Sequence, residues 1–158
     1  MELNPLTALS PIDGRYARQT DALRDIFSEC AFMNARVRVE VEWLISLSEA
    51  GFAELPHLSD HGKAFLRGLA DNFSLADCEA IKEIEKTTNH DVKAVEYWIK
   101  NQVAHDEELK SASEFVHFSC TSEDINNTSH AIMLKRGREA LADYLQQIHD
   151  TIAGFAHQ

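Results

Sequence analysis

The chain has 158 residues, 44% of them hydrophobic and 26% charged, which suits one soluble domain, or one domain plus part of another, with a real buried core. Its formal net charge of -11, from 26 acidic and 15 basic residues, argues against an extended nucleic-acid or anionic-membrane surface; an anionic small molecule would need a locally positive pocket. No apolar leader follows Met1 and no apolar run could span a bilayer, so the expectation is a cytoplasmic protein with no membrane partner. The cysteines Cys30, Cys78 and Cys120 are odd in number and form no CxxC pair, which points to free, buried thiols rather than a zinc knuckle or a disulfide framework.

Strand-like alternation is nearly absent and only three prolines occur, so the fold class expected is all-α. From Asp21 to about Ala50 the residues Leu23, Ile26, Phe27, Cys30, Met33, Val37, Val41, Leu44 and Leu47 recur at spacings of mostly three or four. This predicts one long helix, capped by Asp21 and closed by Gly51. A loop over 56–62 precedes a shorter helix from Lys63 to Asn72. Ser74 and Asp77 form a capping-box pattern opening a helix that runs out near Lys86. The pattern resumes at Val92 and continues to Val103, with Asp91 as its N-cap. A polar connection over 105–112 and an apolar patch at Phe115, Val116 and Phe118 come next. From about Glu123 a further helix runs toward Phe155, with a slip in spacing at Arg136 to Arg138 that predicts a break or bend. This helix is still amphipathic at Phe155 and lacks a terminating cap, the pattern of a helix cut rather than finished.

Three polar junctions interrupt these helices: "SPIDGRY" (10–16), "TTNHD" (87–91) and "CTSED" (120–124). Each adjoins a helix start, where free amides and the helix dipole favour an anion. In the first, Asp13 and Gly14 could turn the chain so that Arg15 and Tyr16 face one ligand, a planar fork of donors beside a hydroxyl; a plain surface turn fits the same residues. In the second, His90 lies between Asn89 and Asp91, an arrangement that fixes an imidazole tautomer. Turn filling and helix capping explain it equally well, and residue types alone leave both readings open. In the third, Thr121 and Ser122 open a helix with Asp124 placed as in a capping box; capping suffices, although a carboxylate or phosphate could use the same donors. His57 and His61 flank a loop without a third ligand, so no metal site is expected. His117 reads as a partly buried, satisfied histidine, and Trp43 and Trp98 as core. There is no Walker A, GxGxxG or GxSxG motif.

In this order and at these separations, "LSPIDGRY", "EKTTNHDVKAVEYWIK" and "EFVHFSCTSEDINN" resemble the N-terminal part of the adenylosuccinate lyase family, bacterial long-chain type, within the fumarase/aspartase superfamily. The resemblance covers essentially the whole chain. It implies the N-terminal helical domain of that superfamily over 1–112, followed over 113–158 by the first helix of the central bundle. It also implies elimination of fumarate from adenylosuccinate to give AMP, and from the succinyl-carboxamide ribonucleotide earlier in purine biosynthesis, by a homotetramer without a cofactor. In the family, residues matching Arg15 and Tyr16 hold the nucleotide phosphate. Those matching Asn89, His90, Asp91, Thr121 and Ser122 line the substrate site, with His90 in a supporting catalytic role. The family's acid, a histidine, and its base, a serine in an SSxMPxKxNP-like loop, have no counterpart in these 158 residues, so the chain is expected to be an N-terminal fragment, inactive alone. Two other readings are another fumarate-releasing lyase, such as argininosuccinate lyase, or a relative such as a cycloisomerase, and a non-enzymatic helical module that binds nucleotides or a partner helix.

Overall fold

A serine divides the first apolar stripe. In the computed structural model, which describes residues 6–157, a 3-10 turn at Asp21–Leu23 leads into α1 (Arg24–Phe27), and Ser28 separates it from α2 (Glu29–Glu49). The Ser28 backbone is extended (φ -70°, ψ 163°). Its N–H bonds to Arg24 O at 3.1 Å and its hydroxyl accepts from the Ala31 N–H at 3.2 Å, so it ends one helix and caps the next. The single helix expected from Asp21 is therefore corrected to three pieces, and Asp21 lies inside the 3-10 turn rather than at a cap. Gly51 closes the run as expected, at φ +83°, a conformation that suits a residue without a Cβ.

The remaining helices are α3 (Asp60–Asp71), α4 (Leu75–Thr88), α5 (Asp91–Val103), α6 (Glu107–Ala112) and α7 (Ser122–Ala156), with a second 3-10 turn at Ser113–Phe115. No strand occurs among the described residues. The helix α3 starts three residues before its expected position because Ser59 caps it, accepting from Gly62 N–H at 3.0 Å, while Glu108 accepts from the Ser59 N–H and hydroxyl at 2.6 and 2.7 Å. At the start of α4 the expected box forms: the Asp77 carboxylate accepts from the Ser74 N–H at 2.8 Å. The polar connection expected over 105–112 holds α6, capped by Asp106. The helix α7 runs unbroken through Arg136 to Arg138, so no break occurs there. Gly137 instead faces the Phe27 ring, where an added Cβ would lie 2.3 Å from Phe27 Cζ.

The chain divides into two compact units, one containing residues up to Ala31 and from Met133 on, the other Phe32–Ile132. In the second unit Val37, Val41 and Leu44 of α2, Leu66 of α3, Ile81 of α4, Val95 and Ile99 of α5 and Ile125 of α7 are all buried. These carry the apolar periodicity of their helices into one interior. Trp98 belongs to it, edge-to-face with Phe73 at 5.5 Å between centroids. Trp43 does not: it is half-buried and donates from Nε1 to Phe118 O at 2.8 Å. Cys120 is a free thiol, as expected, and only half-buried.

Candidate functional site

Each polar residue of the second junction has a local task. The hydroxyl of Thr87 donates to Ile84 O at 2.9 Å, so Thr87 and Thr88 belong to the last turn of α4 and not to a loop. Asn89 ends that helix in the left-handed conformation (φ 49°, ψ 32°), its N–H bonded to Glu85 O at 2.8 Å. Asparagine tolerates that region better than most side chains. The cap of α5 is His90 rather than the expected Asp91: His90 Nδ1 accepts from the Lys93 N–H at 3.2 Å. An accepting Nδ1 carries no proton, so the neutral ring holds its hydrogen on Nε2.

Asp91 is displaced into the first turn of α5, where it does two things. One carboxylate oxygen accepts from the Val92 N–H at 2.9 Å, and the other meets Arg36 Nη2 at 2.6 Å. Burial alone would raise its pKa, but the hydrogen bonds and charge of Arg36 and the Val92 amide outweigh that and hold the carboxyl below its ordinary value.

The third junction forms the capping box read from its spacing. The Asp124 carboxylate accepts from the Thr121 N–H at 2.7 Å and from its hydroxyl at 2.8 Å, and these bonds lower the Asp124 pKa. Thr121 is thereby committed to the helix start. Ser122 is turned elsewhere: its Oγ lies 3.5 Å from His90 Nε2, the edge of hydrogen-bond range. Residues 32 positions apart, from the corner between α4 and α5 and from the first turn of α7, thus share one small polar wall. Its chemical content is an imidazole N–H, a hydroxyl and the adjoining amide-rich helix start, a set that can bind and orient an anionic or carbonyl oxygen.

Two buried ionisable residues of α2 were not singled out from the sequence, and one of them, Arg36, reaches this wall. Arg36, 5% exposed, donates from Nη2 to Asp91 and from Nε to Asn126 Oδ1 at 2.9 Å, and its guanidinium lies 3.9 Å from the Phe32 ring centroid. One turn on, Glu40 is fully buried and contacts His117 Nδ1 at 2.6 Å, while its other oxygen is unpartnered. Burial is the largest influence on Glu40 and raises its pKa, although the His117 contact opposes it. His117 itself sits at φ 63°, an uncommon conformation for a residue with a side chain. The signal for this pair was its spacing: Arg36 and Glu40 fall beside Met33, Val37 and Val41 on the apolar face of α2, where a solvated charge has no place.

Arg15 and Tyr16 belong to the other unit. Gly14 is buried and both residues after it are exposed, with the Arg15 guanidinium carbon 5.6 Å from the Tyr16 ring centroid. The turn is knitted by Gly14 N–H to Ser10 O at 2.9 Å and Tyr16 N–H to Pro11 O at 2.8 Å. A hollow of about 450 Å³ beside it is lined by Ile12, Asp13, Thr20, Arg24 and Phe27 but by neither Arg15 nor Tyr16. In the second unit a groove of about 550 Å³ touches Trp43, Cys120 and Asp124 and likewise omits His90 and Ser122. His90 is exposed and Ser122 half-buried, so the candidate wall lies at the surface of this unit. No cluster of three or more potential metal ligands occurs among the described residues.

Comparison with known proteins gives this arrangement a context. The family described as Lyase matches residues 14–158. The chain belongs to that family. It is 51% identical over 160 residues to adenylosuccinate lyase of Vibrio cholerae serotype O1 and 52% identical over the same length to that of Haemophilus influenzae. Each alignment covers 100% of this chain and 35% of the relative. Adenylosuccinate lyase of Legionella pneumophila strain Corby is 46% identical over 98% of the chain and 33% of its own length. The chain thus spans about a third of the length of these relatives, and the part it matches is their N-terminal part.

Proposed function

We propose that the whole protein is an adenylosuccinate lyase, cytoplasmic and homotetrameric, that eliminates fumarate from adenylosuccinate and from the succinyl-carboxamide ribonucleotide. Residues 1–112 are its first helical domain and 113–158 the start of its central bundle. The observation that carries this reading is 51% identity over the full chain to a relative of that name. The geometry supports a division of labour. His90 presents Nε2–H beside the Ser122 hydroxyl, so the pair binds and orients a substrate oxygen. Asn89 and Asp91 hold the corner that aims the imidazole, Thr121 holds the helix start that aims the hydroxyl, and Arg15 with Tyr16 receives the nucleotide phosphate. Elimination needs a base for the proton beside a carboxylate and an acid for the departing nitrogen. The contribution of this chain is binding and orientation, with proton transfer supplied from elsewhere in the assembled enzyme.

The test is an assay of the whole protein against adenylosuccinate and argininosuccinate, with Ser122→Ala and Arg15→Met variants alongside. Cleavage of the nucleotide alone, with loss of turnover in Ser122→Ala and a raised KM in Arg15→Met, is the expected result. Cleavage of argininosuccinate, or full activity in both variants, sinks the proposal.

A further inference from the structure

We infer that Arg36 is a positioning residue: from beneath the site it holds the corner at His90 and the helix start at Ser122 in register, so that the imidazole Nε2–H stays aimed at the hydroxyl. The inference rests on the functional reading above and adds to it a residue that touches neither the proposed substrate nor the reacting atoms.

Arg36 is the point at which three helices meet. It leaves α2, pairs with Asp91 one residue from His90 on α5, and bonds Asn126 four residues from Ser122 on α7. Both partners are themselves fixed by a second bond. The other Asp91 oxygen accepts from the Val92 N–H, and Asn126 Nδ2 donates to Glu123 at 3.1 Å, which also sets the Asn126 carbonyl toward the arginine. The guanidinium plane rests on Phe32, and Phe32 stacks on His130 with centroids 4.5 Å apart and planes 15° from parallel. Little freedom remains for the side chain to move without carrying both junctions with it.

Stability does not account for such a residue. Arg36 is buried while its partner Asp91 is half exposed, so desolvation of the guanidinium offsets much of the attraction, and the best-attested reason to keep such a buried charge is to fix register. Lysine would meet only half the requirement. Its ammonium could pair with Asp91, but the two directed bonds to different helices need the planar fork of arginine. The two junctions come from distant parts of the sequence, and the 3.5 Å contact between His90 and Ser122 is too long to hold them together. The rigid link between them runs through Arg36.

The experiment compares the wild-type chain with Arg36→Met, Arg36→Lys and Asn126→Ala, using Arg38→Met as a control from the same helix. Arg38 pairs with Asp71 on the exposed surface. Three quantities are read: thermal unfolding, the long-range nitrogen–proton correlation of the His90 imidazole, and AMP affinity from shifts at 89–91 and 121–122. The wild-type chain and Arg38→Met should show the Nε2–H tautomer. In folded Arg36→Met the imidazole should average between tautomers and AMP affinity should fall roughly tenfold. Arg36→Lys and Asn126→Ala, which keep the Asp91 pair partly or wholly intact, should lose affinity by less. A folded Arg36→Met with the wild-type imidazole signature and affinity overturns the inference, as does a change confined to the melting temperature. Should Arg36→Met fail to fold, unchanged signatures in the other two variants overturn it equally. Should the wild-type chain not respond to AMP, the positioning claim stands or falls on the imidazole signature, while the functional reading is tested by the whole-protein assay above.

Discussion

Asp91 sits half exposed between the Val92 amide and the Arg36 guanidinium, and both favour its charged form over the burial that opposes it. Its folded pKa lies below the unfolded value, so its stabilisation is present above the ordinary carboxylate pKa and is lost as pH falls through the depressed one. Asp91→Asn should therefore cost stability at pH 7, about 1–2 kcal/mol after allowance for solvent screening, and the gap should close in acid. Urea unfolding at neutral and acid pH measures both. Glu40 carries the opposite sign. Burial raises its folded pKa, so its ionisation weakens the fold as pH rises from the ordinary carboxylate range through the raised value. Glu40→Gln keeps an acceptor for His117 and removes the charge. Its stability relative to the parent should improve steadily with pH, and a pH-independent difference would show that the carboxylate stays protonated throughout.

At the scale of the elements, Gly137 and Phe27 make a coupled pair. A helical glycine is about 1 kcal/mol worse than alanine, yet an alanine here would press its Cβ into the Phe27 ring. Gly137→Ala should stabilise a Phe27→Ala background by about 1 kcal/mol and the parent by clearly less, and additivity in that cycle would remove the packing role assigned to the glycine. Punctuation at residues with special backbone demands was legible in the sequence: Gly51 past a helix end, the Ser74 and Asp77 box, the Thr121 and Asp124 box. Ser28 was not, because the apolar spacing runs through it unbroken. The six-residue helix α6 is too short to show periodicity. His90 displaced Asp91 as a cap because an imidazole Nδ1 can accept just as a carboxylate can, and the carboxylate was drawn away by a partner 55 residues distant. That partner is the general limit: spacing locates a polar junction, but what Arg36 and Glu40 reach depends on tertiary packing.

Across the whole molecule the clearest unsatisfied feature is α7. Leu134, Leu141, Leu145, Ile148, Ile152 and Phe155 are between 44% and 70% exposed, at spacings of three, four and seven. Such a stripe is a coiled-coil-like seam, and an apolar surface of this kind associates in water. The chain should therefore self-associate as concentration rises, by sedimentation, and Leu145→Glu with Ile152→Glu should return it to monomer. A monomer at every concentration would mean the stripe is covered or frayed. The proposed wall follows the same logic of scale: helix ends set the His90 and Ser122 donors, and the buried Arg36 contacts from α2 hold the corner beside them. An amide-resolved NMR titration of the chain with AMP and then fumarate is the most direct test. Saturable shifts at Asn89 to Asp91, Thr121 and Ser122, and at Arg15 and Tyr16, are the predicted result. An absence of shifts at those residues up to millimolar ligand would contradict a preformed substrate wall in this chain.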